Sequence, residues 1–288
     1  MIAHVAEADE NSGRVVLQMT AHCDVAPMAL AAALRIARSF SAGLESLVAE
    51  DPELFDFAQF DFAREVTIGG GLPQKIQSGE LEPLLQRLAV LRHGEVVAAA
   101  RDVAVPVHCR TVRGDQAAAI AAACSENGPW NIAVLAEPVT AQTESHLAGL
   151  FSTIADVTGF VAAGRGARHT DGPVVAIVEQ LAHAEPMLRA AERLAAGMGE
   201  DVHLILFGGN ADDLAWMEGQ VRLLLDGRDS AELILSPDTC ASPEALASVL
   251  QDLGVGFAIA QLGGALLPAG GGLASFAKLH DGPLFLVR

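Results

Sequence analysis

The sequence predicts a doubly wound α/β fold made twice over: two tandem domains, each built on a five-stranded parallel sheet. Three observations carry this expectation. First, "VVLQMTAHCDVAPMALAAALRIA" from Val15 and "VVAIVEQLAHAEPMLRAAERLAA" from Val174 each run from an apolar strand through a loop into an Ala/Leu-rich helix, with Pro-Met at the same offset (Pro27-Met28 and Pro186-Met187). Such a match, half a chain apart, marks an internal duplication. Second, short apolar runs alternate with helical patterns throughout both halves, as a parallel sheet covered on both faces requires. Third, a polar, glycine-bearing join, "AGRGARHTDG" at Ala163–Gly172, separates the halves and places the domains at 1–166 and 172–288.

The elements follow in order. After the first strand, proline at 27 suits the first turn of a helix, where its missing N–H would have had no partner, and the same reading applies to Pro186. Leu44–Val48 is the second strand, Glu80–Arg101 a long helix and Val105–Val112 the third strand. Asp115 can cap "DQAAAIAAAC"; a strand at Asn131–Leu135, the helix "TESHLAGLFSTIA" and a closing strand at Gly159–Ala163 complete the half. The second half places strands at Val202–Phe207, Ala231–Leu235, Phe257–Gln261 and Pro283–Val287. Its helices fall at Asp212–Leu225, Ser242–Asp252 and Gly272–Leu279, and Ser242-Pro243-Glu244 supplies cap, proline and acid for the second of them.

Several weak motifs in a fixed order resemble universal stress proteins. "VPVHCRTVRGDQAAAIAAACSENGPWNIAVLAEP" looks like that family's third strand, Ala-rich helix and fourth strand, and the closing "DGPLFLVR" is similar to its last strand. The resemblance spans nearly the whole chain as a tandem pair. It implies the doubly wound fold of the wider adenine nucleotide alpha hydrolase-like superfamily, and an internal pseudo-dimer in which the two last strands meet. A further homodimer is compatible with it.

Nucleotide-binding members of that family hold ATP where the strand order reverses, between an acid after the first strand and a loop Gly-x2-Gly-x9-Gly-Ser/Thr. Carried over to the second half, the acid falls on Glu179 and the loop on Gly263, Gly264, Gly270, Gly271 and Gly272, within "QLGGALLPAGGGLASFAK". Five residues separate Gly264 from Gly270, too few for the pattern; Gly271 stands where the hydroxyl belongs, and Lys278 is the segment's one cation. Losing a hydrogen bond to a charged group costs about 1.5–3 kcal/mol, so the expectation is a glycine turn without tight ATP binding. In the first half the acid's position is Thr20 and "AEPVTAQTESHLAG" carries no glycine loop, so no nucleotide is expected there.

Other motifs carry less. His22, Cys23 and Asp24, with His108 and Cys109, invite a metal reading, yet the last two alternate along one strand and that strand is not expected beside the first, so no metal site is assigned. Cys240 precedes a helix start, which can activate a thiol. No GxSxG, HExxH or GxGxxG occurs, and adenylyl chemistry lacks a phosphate loop near the first strand; no catalysis is expected. "DPELFDFAQFDFAREV" puts Phe55, Phe57, Phe60 and Phe62 within eight residues; the expectation is that the rings fold back against the first half's own helices or the domain interface, the alternative that they form a lid or docking surface.

Composition narrows the partners. Against 18 basic residues stand 36 acidic ones, a formal charge of −18 that repels nucleic acid and anionic lipid. No uninterrupted apolar run reaches the ~18 residues of a membrane span, the opening "MIAHVAEADENSGR" lacks a secretory signature, and the four cysteines show no framework spacing, so reduced and mostly buried thiols are expected. The expectation is a cytoplasmic regulatory or protein-binding molecule of the stress response, with no bound cofactor; the alternative is an ATP or AMP sensor using the second domain.

Overall fold

The computed structural model describes residues 13–66, 72–76, 78–124, 130–155, 157–208, 211–228, 230–234, 242–268 and 270–287. The first half comprises β1 (Gly13–Thr20), α1 (Pro27–Ser39), β2 (Gly43–Glu50), α2 (Pro52–Gln59), β3 (Arg64–Glu65), β4 (Gln74–Lys75), α3 (Ser78–Asp102), β5 (Val107–Arg113), α4 (Gln116–Cys124), β6 (Trp130–Leu135), α5 (Ala141–Thr153) and β7 (Gly159–Ala163). The second comprises β8 (Val174–Val178), α6 (Leu181–Ala196), β9 (Val202–Leu206), α7 (Ala211–Leu225), β10 (Ala231–Ile234), α8 (Pro243–Asp252), β11 (Phe257–Gln261), α9 (Leu273–Leu279) and β12 (Pro283–Val287).

Ten strands form one sheet in the order β10-β9-β8-β11-β12-β7-β6-β1-β2-β5. Numbered within its half, each set of five follows the order 3-2-1-4-5, parallel throughout. The halves meet through their fifth strands, β7 and β12, which pair antiparallel with Phe285 opposite Val161. The fold is thus the expected α/β one, and its two sheets are fused edge to edge into a single sheet.

Strand periodicity divides the core between the two faces. Val15, Leu17, Met19, Val174, Ala176, Val178 and Phe285 point to one face, which α1, α3, α6 and α7 cover. Val16, Val175, Ile177, Leu284 and Leu286 point to the other, covered by α4, α5, α8 and α9. Each fully buried Val, Leu, Ile, Met or Phe among them stabilises by roughly 1.5–3 kcal/mol. At the seam the Phe285 ring lies across Gly159, where a Cβ would come within 2.3 Å of Cε2. Glycine is needed there because the ring occupies the space a side chain would take.

The seam is flanked by helix pairs. On one face α1 packs on α6: Ser39 Oγ donates to the Leu194 carbonyl at 3.1 Å, and Arg193 donates to the Phe40 carbonyl while stacking over the Phe40 and Trp130 rings. Deeper in, Arg35 of α1 pairs with Glu200, the Glu200 carboxylate also accepts from Gly172 N at 2.8 Å, and the guanidinium lies 5.0 Å from the Phe257 ring centroid. Burial lowers the Arg35 pKa and Glu200 opposes that shift. On the other face α5 meets α9.

Three expectations need correction. Pro186 does not open its helix: α6 begins at Leu181, so the proline stands inside the helix, past the free first turn, where the N–H it lacks would have donated to the Ala182 carbonyl. Cys109 is exposed rather than buried, because β5 is an edge strand covered on both faces only in part; Cys23 is half-buried and Cys124 buried. Of the four clustered phenylalanines, Phe55 alone turns inward, under the Arg113 guanidinium, while Phe57, Phe60 and Phe62 face solvent. Their segment is the helix α2, capped by Asp51, followed by the small β3–β4 hairpin. Cys240 and Leu235 lie outside the described residues.

Two predictions follow from the buried polar groups. Removing one partner of a buried ion pair leaves a stranded charge, so Glu200→Ala should cost about 3–5 kcal/mol in denaturant unfolding, and Arg35→Met with Glu200→Gln should recover most of it. His280, 1% exposed and stacked on Phe276, has its pKa lowered to about 4, chiefly by burial; Asp281 opposes the shift and His169 adds to it. Because the unfolded chain takes up this proton near pH 6.5 and the folded one does not, stability falls as pH drops from about 7 towards 4, by roughly 3 kcal/mol in all. In His280→Gln the part of that decline between pH 6.5 and 5 should disappear from the unfolding midpoints; an unchanged decline would refute the assignment.

Candidate functional site

In each half the strand order reverses between the first and fourth strands, leaving a crevice at their carboxyl ends where ligands of such sheets sit. In the second half this crevice lies beyond β8 and β11. Glu179 follows β8 directly, and the glycine loop follows β11.

The loop is folded onto Glu179. One carboxylate oxygen, Oε2, accepts from Ala265 N and, at 3.2 Å, from Leu266 N. A Cβ on Gly264 would stand 2.5 Å from Oε1, so only glycine lets the backbone pass so close to the carboxylate. The loop also closes on itself, Gly263 N donating to the Leu267 carbonyl at 2.7 Å. Burial pushes the Glu179 carboxyl above its ordinary value, and the two backbone donors pull it back. At the crevice wall the Gln261 side-chain amide lies 3.3 Å from His183 Nε2.

Gly271 and Gly272 adopt left-handed conformations, φ 150° and 110°, and turn the chain into α9 with Gly272 as its N-cap. The first amides of that helix are not free. Leu273 N donates to Glu144 Oε1 at 2.7 Å and Ala274 N to Oε2 at 3.3 Å. Glu144 belongs to the first turn of α5, in the other half. One carboxylate therefore stands between the positive ends of two helices, one from each half. Lys278 occupies the last turn of α9, at the opposite end from the glycines.

The structure thus gathers Glu179, Gly263 and Gly264 into one cluster, and places Gly270, Gly271 and Gly272 at a helix start held by Glu144. Sequence reasoning missed Glu144. Its acid in the first turn of a helix is visible, but an ordinary helix start accounts for it; the contact arises only once the halves dock.

The first half is built differently. Thr20 Oγ1 donates to Glu137 Oε1 at 2.9 Å across the same crevice, beside Cys23, whose thiol burial raises. Asp24 pairs with Arg92, and β2 lies between β1 and β5, so His108 and Cys109 are remote from His22 and Cys23. Among the described residues no three His, Cys, Asp or Glu side chains gather as a metal site would need. Ser46 Oγ lies 2.8 Å from His93 Nδ1, whose other nitrogen is 3.1 Å from Thr111 Oγ1. That arrangement resembles a nucleophile and base, but Ser46 is wholly buried in β2 and pins α3 to the sheet. Among the described residues no helix is long and apolar enough to cross a membrane.

No protein-family model matches the chain, and no curated protein matches it. Solved structures do. A universal stress protein from Archaeoglobus fulgidus superposes with a TM-score of 0.64 at 11% identity, covering 96% of each chain. A protein of Pseudomonas aeruginosa assigned to the universal stress proteins gives 0.56 at 13% identity, over 97% of this chain and 94% of its own. The cytoplasmic domain of a prokaryotic cation chloride cotransporter gives 0.59 at 8% identity, over 95% and 94%. The chain has the universal-stress-protein fold along nearly its whole length.

The Glu144 contact generates a prediction. Glu144→Ala leaves two amides at the start of α9 without an acceptor, a loss of about 1–2 kcal/mol by comparison with other helix caps. The unfolding midpoint should fall accordingly, and amide exchange at Leu273 and Ala274 should accelerate. Protection unchanged at both residues would show that the carboxylate does not hold them in solution.

Proposed function

We propose that this protein is a non-catalytic regulatory module of the universal-stress-protein fold, acting in the cytoplasm through a protein partner in stress response, with its second-half loop closed to nucleotides. A fold shared by stress proteins and a cotransporter's cytoplasmic domain carries no chemistry of its own, so the reading rests on the site. The observation that carries it is the state of the loop's donors. Ala265 and Leu266 already serve Glu179, and Leu273 and Ala274 already serve Glu144.

A phosphate arriving there exchanges one anion for another. It gains charge-assisted hydrogen bonds worth about 1.5–3 kcal/mol each, but it must first break equivalent ones and leave a carboxylate close to a second negative charge. The formal charge of −18 opposes its approach as well. The glycine spacing, the missing hydroxyl at Gly271 and the distance of Lys278 act in the same direction.

Calorimetry with ATP is the test. Binding should be no tighter than about millimolar, some −4 kcal/mol. Glu144→Ala combined with Gly271→Ser frees the helix amides and restores the hydroxyl, and should raise the affinity above that of the parent. Micromolar affinity in the unaltered protein, or ATP or AMP released in stoichiometric amount on denaturation, would overturn the reading in favour of a nucleotide sensor centred on Glu179.

A further inference from the structure

The insert between β2 and β5 holds three phenylalanine rings out in water. Phe57, Phe60 and Phe62 are 44%, 51% and 71% exposed and touch one another: Phe60 and Phe62 stack at 5.2 Å, and Phe57 meets Phe62 edge-on at 6.2 Å. Together they leave roughly 300 Å² of ring surface in solvent, the scale at which apolar patches on soluble proteins mark contacts.

The patch is built, not loose. Asp51 caps α2, Phe60 N donates to the Phe57 carbonyl at 3.1 Å and Ala63 N to the Phe60 carbonyl at 3.0 Å. Asp61 is tied to Lys75 at 2.6 Å, and Arg64 donates to the Asp61 and Ala63 carbonyls. From beneath, Phe55 anchors the helix under Arg113 at 3.9 Å. A chain that gains nothing from exposed rings would not need this scaffold to present them.

Acids exceed the free bases along the border. Glu53 lies one turn before Phe57 on α2, Asp56 adjoins it, and Glu65 follows the rings; all three are exposed and, among the described residues, none forms an ion pair, whereas Lys75 is paired with Asp61 and Arg64 is turned onto the Asp61 and Ala63 carbonyls. We propose that Phe57, Phe60 and Phe62, bordered by Glu53 and Asp56, form the docking surface for a cationic, amphipathic segment of a partner protein. Its apolar side chains cover the rings and its lysines or arginines meet the carboxylates. A second copy of this chain is disfavoured as occupant, because a two-fold contact sets acid against acid. Anionic lipid and nucleic acid are disfavoured by the same charge. The proposal rests on the protein-binding reading and adds the surface and the chemistry of the partner.

A fluorescently labelled 18-residue amphipathic Leu/Lys peptide serves as the probe, with a Leu/Glu peptide of the same pattern as its counterpart. The Leu/Lys peptide should bind, and Phe57→Ser/Phe60→Ser/Phe62→Ser should weaken it about tenfold or more at unchanged net charge, with the melting temperature of the protein little altered. Should that triple variant not fold, Glu53→Gln/Asp56→Asn keeps the rings and should weaken binding several-fold and flatten its salt dependence. The Leu/Glu peptide should not bind. Undiminished binding by a folded ring variant would overturn the proposal, since bulk charge would then explain the attraction. So would a dimer in sedimentation that the ring substitutions dissolve, because the occupant would then be a second copy. ATP calorimetry is unaffected by these outcomes, so loss of this surface and failure of the closed-loop reading are separately visible.

Discussion

Two apolar fifth strands cannot both remain edges, and the pairing of β7 with β12 resolves this for both at once. "GFVAA" and "PLFLV" are buried at every position but Val287, which is partly buried, and as free edges either would template aggregation. Antiparallel pairing satisfies the backbone of each with the other, and because both strands belong to one chain the partner is present at fixed, high effective concentration. The rest of the seam follows from that choice. Once the strands align, α1 must lie on α6 and α5 must face α9, which brings Arg35 to Glu200 and Glu144 to Leu273. Both cores then run through the seam without a break, so neither half has a complete hydrophobic surface of its own at this edge.

The same constraint shapes the site. Antiparallel fifth strands point the N-terminal ends of α5 and α9 towards each other, and two positive helix ends in proximity call for an anion. In a nucleotide-binding protein a phosphate can play that part for one of them. Here Glu144 does so from within the chain, in the first turn of a helix whose start is fixed by the capping box of Thr140 and Thr143. Glu179 plays the corresponding part for Ala265 and Leu266. A carboxylate fixed by folding needs no recruitment from solution, and its hydrogen bonds are part of the stability of the seam.

Local chemistry made most of the fold legible in the sequence. Ser242-Pro243 opened α8 as expected, Gly272 stood at the start of α9, and the closing strands matched Gly159–Ala163 and Pro283–Val287 residue for residue. Pro186 misled because the Pro-Met repeat suggested identical helix starts, whereas α6 gained an extra turn and a half of favourable Leu, Ala and His positions before it. Glu179, Gly263 and Gly264 were legible as a cluster by resemblance, since they follow neighbouring strand ends at the switch point, whereas Gly270, Gly271 and Gly272 lie apart at the start of α9. Glu144 was not, because its partner lies 129 residues away and the contact depends on how the two halves align across the seam. Phe57, Phe60 and Phe62 were visible as a group, but burial is a property of the neighbours, and α2 offers its inner face to Phe55 and Ala58 alone.

The asymmetry between the halves bears on where the protein meets others. In the second half a single helix, α7, connects β9 to β10, while in the first the corresponding connection carries α2, the β3–β4 hairpin and the long α3. Of the twelve large apolar side chains exposed among the described residues, nine lie between Leu54 and Leu91, within that insert. Packing does not require this, since the second half closes its sheet without such an element. Arg113, which anchors Phe55, also lines a groove of about 540 Å³ between α3 and β5 with Glu50, Gln86, Ala89, Val90 and Thr111. At each half's crevice a carboxylate is bonded within the chain, Glu137 by Thr20 and Glu179 by the Ala265 and Leu266 amides, whereas the element only one half possesses gathers apolar surface, a groove and, among the described residues, acids outside any ion pair. A surface rigidly held and left uncovered is where binding energy remains to be gained.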